Sequence, residues 1–112
     1  MEQKIKETDI VNQILAYLRI NKVFCWRQGT GKFFSEYKGK RRAFSSGVPG
    51  LPDIIGVLKN GRMLAIEAKI PKRKGNLSEH QKEIIAILEK NNALVFVATG
   101  IDDVIEKMEG II

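Results

Sequence analysis

Two acids and a lysine interrupt the most apolar stretch of this chain. Asp53 opens the run Ile54-Ile55-Gly56-Val57-Leu58, and Glu67 and Lys69 follow Met63-Leu64-Ala65-Ile66 across a short turn. An ionised side chain on a buried strand is costly unless it is paired or bound to a metal. These three groups must therefore be held together in the fold. A divalent cation is the partner that best satisfies two carboxylates beside a lysine.

The turn Lys59-Asn60-Gly61 tests that idea, because it admits two registers. A two-residue Asn60-Gly61 turn sets Asp53 across from Ala68 and sends Asp53 and Glu67 to opposite faces, since strand side chains alternate. A three-residue loop with Gly61 left-handed, as in a bulged hairpin, sets Asp53 opposite Glu67, their Cβ atoms about 5 Å apart. The longer loop is expected. Glu67 and Lys69 share a face in either case.

The remaining elements follow from periodicity. With 44% hydrophobic residues in 112, the chain is expected to form one domain, 1–112, around a single core. Ile10, Val11, Ile14, Leu15 and Leu18 predict a helix over 8–21, with Thr8 as its N-cap and Glu7 and Asp9 near its positive end. Residues 23–26 read as a short strand whose Cys25 and Trp26 belong to the core. Residues 28–50 mix glycines with basic and aromatic side chains and read as a loop-rich insertion, with a short strand around 42–45. The strands 53–58 and 62–69 are apolar on both faces, which predicts cover on both sides of the sheet. A basic loop, 71–76, leads to a helix over 78–91 with Ile84, Ile85, Ile87 and Leu88 inward. A buried strand over 94–98 and a helix over 102–108 complete the order α-β-β-β-α-β-α, an α/β fold with a mixed sheet flanked by helices.

The net charge of +6 and a pI near 9.6 make a polyanionic partner plausible without proving one. Cys25 is the single cysteine, so no internal disulfide forms, and no Cys/His pairs stand at zinc spacing. No apolar run is long enough for a membrane span, and the polar start is no signal peptide. A reduced, cytoplasmic setting is expected, with no membrane and no small-molecule cofactor.

Pro52-Asp53 and Glu67-Ala68-Lys69 resemble the signature of the PD-(D/E)xK nuclease superfamily, whose core is restriction-endonuclease-like. More narrowly the chain is similar to a stand-alone VRR-NUC domain. The likeness runs through Ile14-Leu15-Ala16-Tyr17-Leu18, Trp26-Arg27 with Thr30-Gly31, Gly47-Val48-Pro49-Gly50-Leu51-Pro52-Asp53, Gly61 to Lys69, and Leu77-Ser78-Glu79-His80-Gln81. It implies hydrolysis of a phosphodiester with Mg²⁺ (or Mn²⁺) held by Asp53, Glu67 and the Ala68 carbonyl, a donor set that suits a hard cation. Lys69 would orient the attacking water, stabilise the transition state or act as base. Gln81 matches the family's glutamine after the E-x-K strand, although Ser78-Glu79-His80-Gln81 also reads as a capping box. The family's first-helix glutamate is represented here by Asp9, one methylene shorter, with Glu7 as competitor.

The resemblance further implies a homodimeric, structure-selective endodeoxyribonuclease of the phage or prophage Holliday-junction-resolvase type. A two-fold dimer suits paired cuts in a four-way DNA junction, and a domain this small leaves specificity to DNA shape or to the assembly. Ile105, Met108, Ile111 and Ile112, or the first helix, are candidates for the dimer surface. A flap or nicking nuclease within a replication-repair complex, and a non-catalytic nucleic-acid-binding module, stay open as alternatives. Phe33, Phe34, Tyr37 and Phe44 interleave with basic residues as base stacking and phosphate binding require, the plain alternative being a solvated loop. Arg27, Lys38, Lys40, Arg41 and Arg42 are the phosphate candidates there, joined by Lys72, Arg73 and Lys74 after the catalytic strand. His80 reads as an exposed surface residue.

Overall fold

Helices form where apolar residues recur at helical spacing, and strands where they run unbroken or alternate. In the computed structural model, which describes residues 5–29, 32–37, 39–45 and 47–112 and only the backbone of 32–37 and 40–45, these segments give three helices. They are α1 (Glu7–Ile20), α2 (Glu79–Lys90) and α3 (Ile101–Met108). The strands are β1 (Phe24–Arg27), β2 (Lys32–Tyr37), β3 (Lys40–Ser45), β4 (Ile54–Val57), β5 (Met63–Ala68) and β6 (Leu94–Ala98), with a 3₁₀ turn at Pro71–Arg73. Among the described residues no helix is long and apolar enough to cross a membrane.

The main sheet runs β1-β4-β5-β6. β1, β4 and β5 are antiparallel neighbours, and β6 returns parallel to β5 through α2, as a parallel pair needs a crossover. One face packs on α1 and α3. There Ile14, Leu18, Ile54, Leu64, Ile66 and Met108 are fully buried, each contributing about 1.5–3 kcal/mol of apolar burial. The other face carries Ile55, Ala65 and Glu67 and is roofed by α2 on its β5–β6 half.

That roof is partial, and burial corrects four sequence expectations. Cover over the β1–β4 half is incomplete: Ile55 is buried, but Val57 is 43% exposed. Trp26 is not core: it alternates with the buried Cys25, lies on the second face and is 38% exposed. Ile87 is 54% exposed rather than inward, whereas Met108, offered as a dimer-surface residue, is wholly buried under α1. Apolar spacing marks a stripe on a helix but not how much of it a neighbour covers.

Two further differences concern element boundaries. α1 starts before Thr8: the cap is Lys6, whose backbone N–H donates to the Asp9 carboxylate at 3.3 Å. The region 28–50 holds a full hairpin, β2–β3, paired from Lys32↔Ser45 to Tyr37↔Lys40, which joins neither edge of the main sheet. The element order is therefore longer by two strands than predicted. The adjacent Phe33 and Phe34 hide the alternation that marks a strand, and Gly39, at φ +70, supplies the left-handed residue of the turn.

The β4–β5 hairpin has the predicted three-residue loop. Leu58 N–H donates to the Arg62 carbonyl at 2.9 Å, Gly61 N–H to the Leu58 carbonyl at 2.8 Å, and Gly61 sits at φ +85, as a bulged loop requires. Ile54 pairs with Ile66, so the next position outward sets Asp53 opposite Glu67.

Candidate active site

Asp53 is fixed twice. Its backbone carbonyl accepts the Gln28 N–H at 2.6 Å, extending the β1–β4 ladder by one step. Its side-chain Oδ2 accepts the Ala68 N–H at 2.9 Å, so the carboxylate stands where a further backbone ladder bond would form. Pro52, fully buried, anchors the chain just before it. Glu67 is the one charged residue in the core among those described, at 4% exposure. Lys69 Nζ lies 3.8 Å from Glu67 Oε1, an ion-pair distance rather than a hydrogen bond.

Gln81 closes the expected capping box and also reaches the site, though it bonds Glu67 rather than the lysine. Its Oε1 accepts the Ser78 N–H at 2.9 Å while Ser78 Oγ accepts the Gln81 N–H at 3.1 Å, which closes the capping box. Its Nε2 donates to Glu67 Oε1 at 3.1 Å. One amide thus ties the start of α2 to the buried carboxyl.

Burial pushes Glu67 up to about 8, helped by the Asp53 charge and a hydrogen bond to the Asp53 carboxyl, against the opposing pull of Lys69. Ionising Glu67 beside the Asp53 charge is therefore costly without a further positive partner. Without metal Glu67 holds a proton; a divalent cation would replace it. The Ala68 carbonyl fits the same partner. Lys69 N–H donates to the Ala98 carbonyl on β6 at 3.0 Å, and no peptide is cis, so the planar Ala68–Lys69 peptide sends the Ala68 carbonyl away from β6, toward Asp53. Among the described residues no three His, Cys, Asp or Glu side chains cluster as a metal cage. Two carboxyls and a carbonyl are what Mg²⁺ commonly takes from a protein, leaving its other positions to water and substrate phosphate.

Asp9 caps the start of α1. It is exposed, and its carboxylate is engaged by the Lys6 N–H. The first-helix acid whose charge reaches Glu67 is Glu7, two residues earlier. Arg27 ends β1 opposite Ile54, on the sheet face turned away from the carboxyls. Lys72, Arg73 and Lys74 are exposed on the 3₁₀ turn and its cap, just beyond the strand that leads to Lys69. On β3, register places Lys40 and Arg42 on one face of the hairpin and Arg41 on the other; Lys38 lies outside the described residues. His80 is exposed, as expected.

Two contributors escaped the sequence reading. Gln28 locks Asp53 through its backbone. Gly50, at φ +85, packs so closely on α2 that a Cβ there would lie 2.6 Å from the backbone carbon and oxygen of His80 and 2.9 Å from Gln81 N. The glycine-proline punctuation of Gly50-Leu51-Pro52 was the available signal.

Set beside known families, residues 29–102 of the chain match the VRR-NUC domain. The comparison with curated proteins gives no match.

Proposed function

The chain belongs to the VRR-NUC family, nuclease domains of the PD-(D/E)xK superfamily, and from that premise we propose a divalent-metal-dependent endodeoxyribonuclease that cuts branched DNA, resolving four-way junctions as a homodimer. The observation that carries this reading is the placement of Asp53 opposite Glu67 across β4 and β5, Glu67 buried and Asp53 held by the Ala68 N–H, with Lys69 alongside. A non-catalytic binder has no use for buried acids facing a phosphate.

Asp53, Glu67 and the Ala68 carbonyl would hold Mg²⁺ (or Mn²⁺). When bound, such an ion lowers the pKa of a water and neutralises charge on the phosphate. The chain supplies the rest. The Ala68 N–H fixes the Asp53 carboxylate, and the Gln81 amide fixes Glu67, so neither rotates away from the reacting phosphate. Lys69 places a cation beside Glu67, where it orients the attacking water or offsets charge in the transition state. Arg27, Lys72, Arg73 and Lys74, with Lys38, Lys40, Arg41 and Arg42 of the hairpin region, grip phosphates along the flanking duplexes. A two-fold pair of such sites matches the symmetry of a four-way junction. The setting is cytoplasmic, where Cys25, a buried free thiol, stays reduced.

The test is incubation of purified protein with labelled four-way junction, flap, nicked and linear duplex DNA, with and without Mg²⁺. The expected result is symmetric paired incision confined to the junction, absent without metal and abolished in Glu67→Ala and Lys69→Ala. Equal digestion of every duplex defeats the junction assignment, and cleavage that survives Glu67→Ala defeats the site.

A further inference from the structure

β1 is an edge strand among the described residues, and it carries two exposed aromatics on the face that holds the carboxyls. Phe24 is 72% and Trp26 38% exposed. Their rings pack edge to face, centroids 5.6 Å apart at 61°, and the indole Nε1 donates to Gln28 Oε1 at 3.0 Å. Cys25 between them belongs to the opposite, buried face, so alternation sends both rings outward.

The ladder fixes where these rings stand relative to the chemistry. Gln28, Asp53 and Glu67 form one row across β1, β4 and β5. The next row is Trp26, Ile55 and Ala65, and the one after it Phe24, Val57 and Met63. Successive rows on one face are about 7 Å apart, comparable with the reach from a nucleotide's phosphate to its own base. A phosphate lying over the carboxyl row therefore brings its base, or a neighbouring one, over the Trp26 row. On the opposite flank α2 closes the face through Gln81. The open side is the aromatic one.

We propose that Phe24 and Trp26 form a stacking ledge for an unpaired or unstacked nucleobase next to the scissile phosphate, so that they select DNA whose bases are already free at the cut. This rests on the nuclease reading and deepens it. Every base presents a π-face to an aromatic side chain, and the gain is available only once the base has left its own stack. A base at a junction, gap or flap is free; a base in an intact duplex must first be extracted. A second copy of the chain is the rival occupant of this surface, but seated there it would lie one row from the carboxyls, over the route the substrate needs.

Trp26 is the chain's only tryptophan, so its fluorescence reports stacking directly. The full chain carrying Glu67→Gln, which prevents cleavage, is titrated with a gapped duplex, a four-way junction and an intact duplex, binding being followed separately by anisotropy of labelled DNA. Strong quenching by gapped and branched DNA, with little by intact duplex at equal occupancy, is expected. Binding without quenching overturns the ledge, as does equal quenching by intact duplex. So does fluorescence that changes with protein concentration alone in step with a dimer mass in sedimentation, which would make the surface a self-interface.

In the otherwise native chain, Phe24→Ala removes an exposed ring and is expected to raise KM for branched DNA about tenfold, with kcat within about twofold. An unchanged KM overturns the proposal. Failure of the nuclease reading looks different: native protein would cleave no DNA at all.

Discussion

At Glu67 the burial that makes a lone carboxylate costly also makes a proton or a cation obligatory, and this fixes how the metal-free protein responds to pH. The carboxyl is raised from 4.5 to about 8. Between those values the folded protein keeps a proton that the unfolded chain has released, so stability falls as pH rises across that window and levels off above it. Glu67→Gln stays neutral and removes the slope. In EDTA near pH 9 the variant is expected to melt at least about 4 °C above the parent, the shift that ~1 kcal/mol produces in a domain of this size. Mg²⁺ displaces the same proton, so it raises the parent's melting temperature more at pH 8 than at pH 6 and leaves the variant unmoved. Calorimetry across pH 5–9 checks both statements; parallel curves for the two proteins would refute them.

The close approach of the Gly50 loop to α2 joins the two elements that hold Asp53 and Gln81. Gly50→Ala adds a methyl against the His80 backbone at a position of φ +85, whereas Gly110, at φ +78, has open space around it. Gly110→Ala is expected to cost about 1 kcal/mol, from backbone strain alone, with cleavage unchanged. Gly50→Ala is expected to cost about 3 kcal/mol and to lower kcat/KM at least tenfold (about 1.4 kcal/mol), because it pushes the Asp53 loop away from the helix. Urea denaturation and cleavage assays distinguish them, and equal losses would show that the close approach is unimportant. The same comparison shows what a sequence can reveal. Asp53, Glu67 and Lys69 were legible because charges stand out in apolar runs, and the register was legible because the two possible turns send the acids to different faces. The packing of Gly50 was not, since nothing local says which distant backbone will come close. Trp26 reads as core for a similar reason: hydrophobicity says that a ring resists water, not which face of a half-covered sheet it occupies. The β2 strand was hidden by its own composition.

Across the whole molecule, positive charge is concentrated in one stretch of the chain. Residues 32–45 carry five basic side chains against one acid, so they hold +4 of the net charge of +6. Yet the β2–β3 hairpin they form pairs with neither edge of the main sheet. A basic hairpin outside the main sheet is best explained by its partner, because counterion release from phosphates makes clustered Lys and Arg the main source of DNA affinity. Replacing residues 32–45 with a short glycine-serine link is therefore expected to leave the melting temperature within about 4 °C, since the four-stranded sheet stays whole. Affinity for DNA should fall, and the slope of log affinity against log salt should shallow by up to about 4, near 0.9 for each phosphate no longer neutralised. Residual cleavage at low salt should still require Glu67, because the carboxyl site is built from β4, β5 and α2. A variant that unfolds would place the hairpin in the core, and an unchanged salt slope would place the DNA on another surface.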